Sequence, residues 1–253
     1  MKNYHTHTMR CQHAIGTEID FIEAAIKAGY TTLGFSDHSP WHYESGFRPY
    51  MRMMESQLED YVMTLRHLRD VYKDKIEIKI GLECEYFPDK LDWLKEQIDR
   101  YELDYIILGH HYLGSDEYGR YVGHPPISDE QVIHYVDDVC AAIESGLFSY
   151  IAHPDVVYYD PDNPLHLKQM ERICIKAKEY DIPLEFNLLG FRARRHYPSD
   201  AFFTMAKYYN NKIILGCDAH DPEQIENTLA YHKAYALLKK YDFEIVEDIK
   251  YFR

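Results

Sequence analysis

Residues 31–40 read TTLGFSDHSP, a short apolar run that leads into a histidine and a proline. A short apolar run bounded by turn residues is typical of a strand buried in a parallel sheet. Similar runs recur on both sides of it, and longer amphipathic segments separate them. The predicted strands cover residues 2–5, 31–36, 76–82, 104–108, 149–152, 183–187 and 212–216.

The amphipathic segments between these runs predict helices. They cover residues 18–29, 55–73, 89–101, 129–145, 165–180, 199–209 and 222–240. Thr17 and Asp20 have the spacing of a capping box at the first helix, and Ser128 and Ser199 are predicted N-caps. The repeated alternation of strand and helix predicts one α/β domain over residues 1–253, either an α/β barrel or a doubly wound sheet.

The composition limits the partners that the chain can have. Lys and Arg number 28 and Asp and Glu 42, a formal net charge of −14, which argues against a nucleic-acid-binding protein. The five cysteines have no CxxC spacing, so a reducing compartment is expected rather than a disulfide framework. The sequence has no signal-peptide pattern and no run approaching ~20 apolar residues, so we expect a cytoplasmic protein without a membrane partner.

Side chains that can bind metal follow almost every predicted strand. In chain order they are His5 and His7, His38, Glu83, His110 and His111, His153, Asn187, and Asp218 with His220. Both α/β architectures place their sites at the carboxyl ends of the strands, so these residues are expected to converge. In an extended HxH segment the two imidazoles point the same way and can share an ion. Imidazole and carboxylate together favour Zn, Mn or Fe.

Each motif has a plainer interpretation when it is taken alone. A single HxH or DxH occurs often by chance or in a hydrogen-bonded core, and only the joint occurrence at the strand ends favours metal. Cys84 and Cys217, which lie beside presumed ligands, are expected to pack in the core. Four histidines in helical segments are predicted to be surface residues: His67, His134, His166 and His232.

Together, HTHTMRCQHA, FSDHSP, GLECEY, the histidines after DYIIL, IAHP and GCDAH resemble the polymerase and histidinol phosphatase (PHP) superfamily. Within it, residues 16–40 and the segment IKIGLECEYFPD resemble PHP-type histidinol-phosphatases. The resemblance covers almost the whole chain. It implies a distorted seven-stranded (β/α)7 barrel, related to the TIM barrel, with a trinuclear metal site.

The resemblance also implies a ligand set. It assigns His5, His7, Glu83 and Asp218 to one ion, Glu83, His111 and His153 to a second, and His13, His38 and His220 to a third. His111 is preferred to His110 because it directly precedes Tyr112, and His110 is then expected to face the barrel wall. Arg192 in NLLGFR is implied to bind the substrate phosphate, although a cluster of Arg192, Arg194 and Arg195 could also be a solvated loop.

The activity implied is hydrolysis of L-histidinol phosphate to L-histidinol and phosphate, in histidine biosynthesis. Two or three divalent ions would lower the pKa of bound water from ~15.7 to roughly 7, and the hydroxide would attack phosphorus. The proton for the leaving alcohol could come from a side chain or from a metal-bound water. No site is assigned to residues 41–74, which could be a lid or an outer helix.

Two departures from the histidinol-phosphatase pattern keep the substrate open. No basic residue stands near Tyr158 or Tyr159, and Leu188 and Leu189 replace small or hydroxyl residues. The alternatives are another small phosphate ester, phosphotyrosine or a nucleotide. A binding module without catalysis is a further alternative, although such modules tend to lose ligands and this chain retains all nine.

Overall fold

Parallel strands form the centre of the protein. The computed structural model describes residues 1–252. Its strands are β1 (Lys2–Asn3), β2 (Thr32–His38), β3 (Glu77–Cys84), β4 (Tyr105–Leu108), β5 (Leu184–Asn187), β6 (Lys212–Gly216) and β7 (Glu244–Ile245). They make a curled four-stranded sheet in the order β1-β2-β3-β4 and a three-stranded sheet in the order β5-β6-β7. Every pairing between these strands is parallel, so the predicted α/β class is confirmed.

Helices connect the strands. Within residues 1–252 they are α1 (Glu18–Ala28), α2 (Leu58–Tyr72), α3 (Leu91–Arg100), α4 (Asp129–Ser145), α5 (Pro164–Glu179), α6 (Leu188–Ala193), α7 (Asp200–Tyr208), α8 (Pro222–Glu226) and α9 (Leu229–Lys240). Thr17 and Asp20 form the predicted capping box, and Ser128 and Ser199 cap α4 and α7. None of the helices in this part of the chain is both long and apolar enough to cross a membrane.

The strand predicted over residues 149–152 is reduced to an isolated bridge residue, Ile151, which pairs in parallel with Leu108 and Leu184. The segment still hydrogen-bonds β4 as a strand would: the Ser149 N–H donates to the Ile106 carbonyl at 2.8 Å, and the Ala152 N–H donates to the Leu108 carbonyl at 2.8 Å. The extended run cannot continue because His153 has a left-handed backbone, with φ 27°. Ile151 nevertheless lies between the two sheets and hydrogen-bonds the backbone of the second one, its N–H donating to the Pro183 carbonyl at 3.0 Å.

A second contact joins the β1 edge of the first sheet to β6, the middle strand of the second. Thr6, just beyond β1, forms a parallel bridge with Ala219, just beyond β6. The His7 N–H donates to the Ala219 carbonyl at 2.9 Å, and the Ala219 N–H donates to the His5 carbonyl at 3.2 Å. The segments that carry His5, His7 and Asp218 are therefore fixed to one another by backbone hydrogen bonds.

Three further elements differ from the sequence prediction. The single helix predicted over residues 222–240 is divided into α8 and α9 at Asn227 and Thr228. Helix α6 was not predicted, because six residues are too few to show helical periodicity. Strand β7 was also missed, since two residues carry no alternation pattern.

The core is divided between the two faces of the strands. In β4, Ile106 and Leu108 belong to the main core, which also includes the helices, whereas Tyr105 and Ile107 belong to a smaller one. Alternate residues of a strand point to opposite faces, so β4 is buried on both sides. All five cysteines are buried and free, and Cys84 and Cys217 pack in the main core as predicted.

Candidate metal centre

The ends of the parallel strands bring the predicted ligands together. His38 is the last residue of β2, and its Cα pairs with that of Glu83 near the end of β3. Partners in a parallel sheet point to the same face, so His38 Nδ1 lies 2.9 Å from Glu83 Oε2. Gly109, just beyond β4, is needed here because a Cβ atom would collide with the Glu83 carboxylate.

Glu83 lies at the centre of the cluster. Its Oε1 atom is 2.8 Å from His153 Nε2, 3.5 Å from His5 Nε2 and 3.7 Å from His111 Nε2. Its Oε2 atom is 3.5 Å from His7 Nε2. Both oxygens of one carboxylate therefore face several imidazoles, which is the geometry that a carboxylate bridging two ions requires.

Asp218 is the second carboxylate of the cluster. Its Oδ1 atom is 3.2 Å from His7 Nε2 and 3.6 Å from His5 Nε2. The His220 ring stacks against those of His7 and His13, with centroids 4.0 and 4.5 Å apart. The structure thus places all nine predicted ligands in one cluster: His5, His7, His13, His38, Glu83, His111, His153, Asp218 and His220.

Four histidines are held in a common orientation, because Nδ1 of each lies close to an oxygen that can only accept a hydrogen bond. The pairs are His5 with Glu185 (2.7 Å), His111 with Glu85 (2.9 Å), His13 with the Cys11 carbonyl (2.8 Å) and His220 with the Asp218 carbonyl (3.2 Å). The hydrogen therefore resides on Nδ1, and Nε2 is available to bind a cation. Metal-binding histidines are usually oriented in this way.

The sequence did not predict the carboxylates that orient these rings. Glu185 holds His5 and also accepts from the His153 N–H at 2.9 Å. A Cβ atom at Gly216 would collide with the Glu185 carboxylate, so glycine is required at the end of β6. Asp37, fully buried, lies 3.4 Å from His7 Nδ1.

Two of these carboxylates had a positional signal in the sequence. Glu85 follows Glu83 by two residues, and Glu185 precedes Asn187 by two. Residues two apart along an extended chain share a face, so each belongs on the side of the predicted site. Cys11 was also missed, two residues before His13, and its Sγ lies within 4.8 Å of ligand atoms of His13 and His220.

The charges of the cluster suit cation binding. Burial opposes ionisation of Glu83, but His38 and then His5 hold its pKa well below the usual range. Asp218 is likewise buried, and its pKa is held well below the usual range, chiefly by His5. Burial lowers the pKa of His38 well below its usual value. Against the effect of burial, Asp218 and other carboxylates raise the pKa of His7 to about 9, so this ring holds a proton that a cation would displace.

Unpartnered atoms show that divalent metal ions fit this site. His5 Nε2 and His220 Nε2 are buried and make no hydrogen bond within residues 1–252. Buried polar atoms without a partner are costly and rare. Ligand atoms of His5, His7 and Glu83 all lie within 4.8 Å of one another, as close as binding one ion requires.

The backbone is strained at two of the predicted ligands. His153 and Asp218 have φ angles of 27° and 47°, in the left-handed region. Such a conformation costs on the order of 1–3 kcal/mol for each residue and persists only where the surroundings fix it. The fold therefore keeps these two side chains in the cluster at the expense of a relaxed backbone.

A cavity of about 320 Å³ opens above the cluster. Its wall includes Met51, Tyr121, Leu189, Arg195, Tyr197 and Gln224 besides the predicted ligands. Seven of the nine predicted ligands are buried, whereas His220 is half-buried and His13 is exposed at the rim. The arrangement can hold cations at the base of the cavity and present a positive side chain to an anion above them.

The arginine in this wall is Arg195 rather than Arg192. Helix α6 ends at Ala193, and Arg194 has φ 53°, which reverses the chain and places Arg195 at the cavity. Arg192 lies near Cys217 instead: burial raises the pKa of Cys217 to about 11, and the charge of Arg192 opposes that rise. Among residues 1–252, those lining the cavity do not include Arg192.

Histidines outside the cluster have structural roles. His110 Nε2 lies 3.1 Å from Asp138 of α4, so this ring faces the helices, as expected. The prediction that His166 is a surface residue was wrong: it is buried, and its Nε2 lies 2.9 Å from Asp129 at the start of α4. His67, His134 and His232 are exposed, as predicted.

The fold and the site define a class of protein, in which the carboxyl ends of parallel strands assemble a cluster of histidines and carboxylates suited to cations. The PHP domain model matches residues 3–188, and the chain belongs to this family. The matched residues include seven of the nine clustered side chains, and Asp218 and His220 follow them in sequence.

Relatives of similar length carry phosphatase names. A probable histidinol-phosphatase from Deinococcus radiodurans is 27% identical over 234 residues, which cover 87% of this chain and 86% of the relative. The histidinol-phosphatase of Bacillus subtilis is 24% identical over 250 residues, covering 85% and 92%. A histidinol phosphate phosphatase from Lactococcus lactis, solved with zinc, L-histidinol and phosphate, matches the fold with a TM-score of 0.74 at 20% identity, covering 98% of each chain.

Proposed function

We propose that this chain is a metal-dependent histidinol-phosphatase, which hydrolyses L-histidinol phosphate to L-histidinol and phosphate in histidine biosynthesis. The observation that carries the proposal is the cluster around Glu83 beneath a cavity whose wall contains Arg195. Cations and an arginine are the groups that stabilise a phosphoryl group during transfer. The names of the relatives, and the histidinol and phosphate in the Lactococcus lactis structure, support this substrate.

We assign the cluster to two or three divalent ions of Zn, Mn or Fe, which imidazole and carboxylate ligands favour. His5, His7, Glu83 and Asp218 would hold one ion, Glu83, His111 and His153 a second, and His13, His38 and His220 a third. The zinc in the Lactococcus lactis structure supports this choice of metals. When bound, the ions would neutralise phosphate charge and activate water for attack on phosphorus.

The chain's own residues bind and orient the substrate. Arg195 contacts the phosphate, since a guanidinium can donate two parallel hydrogen bonds to phosphate oxygens. Arg192 stays the alternative that the sequence motif predicts, but its position outside the cavity favours Arg195. Met51 and Leu189 provide apolar wall that excludes water from the rest of the substrate.

The architecture proposed with this function is a distorted seven-stranded barrel forming one domain over residues 1–253. The two sheets would close through Ile151 on one side and through Thr6 and Ala219 on the other. A barrel of this kind explains why ligands that follow several different strands reach one mouth. We place the enzyme in the cytoplasm, where free buried cysteines and a biosynthetic substrate are expected.

A steady-state assay of the reconstituted enzyme tests the proposal. The protein is stripped of metal and reloaded separately with Mn, Zn or Fe. Its kcat/KM for L-histidinol phosphate is then compared with those for glycerol phosphate, a phosphotyrosine peptide and a nucleoside monophosphate. We expect the highest kcat/KM for L-histidinol phosphate. A higher kcat/KM for another ester would overturn the proposed substrate. If no ester releases phosphate, the proposal of an enzyme fails and the chain is a binding module.

Two aspartates provide a matched pair of variants. Asp218 and the exposed Asp242 both have left-handed φ angles, 47° and 57°, so Asp→Asn is equally tolerable to the backbone at each position. We expect Asp218→Asn to lower kcat/KM at least ~100-fold, as for loss of a group that stabilises the transition state. Asp242→Asn is expected to match the unmodified protein.

A further inference from the structure

Hydrolysis of an alkyl phosphate needs a proton for the oxygen that leaves, and the residues assigned above do not supply one. We propose that Tyr197 is a catalytic residue that donates this proton, an inference that rests on the proposed phosphatase function. Tyr197 lines the cavity above the metal cluster, is 3% exposed, and has its ring centroid 5.9 Å from that of His153.

The hydrogen bond to Arg195 fixes where the tyrosine proton points. Arg195 Nη1 lies 2.6 Å from Tyr197 Oη. A guanidinium has no acceptor, so Arg195 donates and Tyr197 Oη accepts. The phenol hydrogen is therefore directed away from Arg195, and within residues 1–252 Tyr197 Oη has no second hydrogen-bond partner. It remains available to a group that enters the cavity.

The other polar groups of the cavity wall are less suited to this role. Arg195 stays charged at all relevant pH values, and the Gln224 amide is not an acid and accepts from the His220 N–H at 2.9 Å. Tyr121 also lines the cavity, but its ring stacks over His111 at a centroid distance of 6.2 Å, and no hydrogen bond within residues 1–252 orients its hydroxyl. Tyr197 is the phenol whose donor direction is fixed.

The proton transfer balances in atoms and charge. Water oxygen bonds to phosphorus, the ester P–O bond breaks, and its electron pair goes to the alkyl oxygen. That oxygen takes the Tyr197 proton and leaves as the alcohol. Burial raises the pKa of Tyr197 above its usual value, and the charge of Arg195 opposes that rise. An alkoxide resembles hydroxide in basicity and is a stronger base than the phenolate, so the proton moves to the leaving oxygen. The phenolate left behind is paired with Arg195 and regains a proton from water.

Leaving-group dependence distinguishes this role from a structural one. In metal-loaded Tyr197→Phe, we expect kcat for L-histidinol phosphate to fall ~10²–10⁴-fold, the usual contribution of general acid catalysis. With p-nitrophenyl phosphate, whose leaving group departs as a stable anion, kcat should change only a few-fold. Equal losses on both substrates would overturn the proposal.

Further measurements keep the test decisive. Metal content and Tm of Tyr197→Phe establish that the site is intact, and Tyr208→Phe, with 77% of that residue exposed, is the matched control.

If the Tyr197→Phe variant does not fold, the hydrolysis of a series of aryl and alkyl phosphates by the unmodified enzyme replaces this test. A steep fall of log kcat with leaving-group pKa would then show that no proton is donated. The assignment to Tyr197 would also be overturned if Tyr121→Phe, and not Tyr197→Phe, lost only the hydrolysis of the alkyl phosphate.

The two proposals can fail separately. If the unmodified enzyme ignores L-histidinol phosphate but hydrolyses glycerol phosphate, the substrate proposal fails. Glycerol phosphate is also an alkyl ester, so its comparison with p-nitrophenyl phosphate still tests Tyr197. Loss of the alkyl reaction alone in Tyr197→Phe would then support the proton donor without the proposed substrate.

Discussion

Glu85 accepts a hydrogen bond from Nδ1 of His111 at 2.9 Å, and the same carboxylate oxygen lies 3.1 Å from Nη2 of Arg52. Arg52 is fully buried, and its Nε donates to Asp116 at 2.7 Å. A buried arginine is tolerated only where its donors are paired. The network therefore connects the loop before α2 to a proposed metal ligand through the Glu85 carboxylate, and Asp116 pairs with the other side of the guanidinium.

We expect Glu85→Gln to weaken metal binding ~10–100-fold, the usual effect of removing a group that orients a metal-binding histidine. The amide keeps the size of the side chain but loses the charge that holds the His111 ring and pairs with Arg52. Titration of the metal-free protein against a competing chelator measures the affinity. Glu96→Gln, on the exposed side of α3, is the control. Unchanged affinity in Glu85→Gln would contradict the orienting role.

The network around Arg52 illustrates which parts of the site can be predicted from the sequence and which cannot. His38, Glu83 and His153 were predictable because each follows its own apolar run, and the strand-end rule needs no knowledge of distant contacts. Arg52 and Asp116 could not be predicted, since their pairing joins residues 64 positions apart that no local pattern relates. For the same reason no site was assigned to residues 41–74, although Met51 lines the cavity.

The prediction of helices and strands from the sequence has the same limit, because only local patterns are visible in it. Long segments such as α4 and α5 have enough turns to show periodicity, and their caps are local in sequence. The pairing of Ile151 with both sheets, and the reversal at Arg194 that brings Arg195 to the cavity, depend on single backbone conformations. A motif that matched Arg192 could not detect that reversal.

We expect substitutions of Arg195 and Arg192 to differ in their effect on phosphate binding. We expect Arg195→Gln to raise KM for L-histidinol phosphate and the inhibition constant of inorganic phosphate roughly 10–150-fold, the equivalent of ~1.5–3 kcal/mol for hydrogen bonds to a charged group. Arg192→Gln should change both less than about threefold, a difference of ~0.5 kcal/mol or less, because Arg192 does not line the cavity. The reverse ranking would restore the assignment made from the sequence motif.

Removal of metal should lower stability without unfolding the protein. Ions bound at ~100 times their Kd stabilise the folded state by about 2.7 kcal/mol per site. For a domain of this size, that corresponds to a fall in Tm of roughly 5–11 °C for each ion that chelation removes. Calorimetry with and without chelator measures the shift. Asp218→Asn should show a smaller shift, and an identical Tm in both conditions would argue that the cluster binds no ion.

His196 provides a test of pH dependence away from the proposed ligands. Its Nε2 donates to the Val156 carbonyl at 2.8 Å, and its ring packs on Tyr197 with centroids 5.1 Å apart. Burial, and then the charge of Arg195, lower the pKa of His196 below that of an unfolded chain. The unfolded state therefore binds the proton more readily, so stability falls as the pH drops below ~6.5. Urea unfolding at a series of pH values should show a flatter acid limb for His196→Gln, and an unchanged limb would exclude this ring as a contributor.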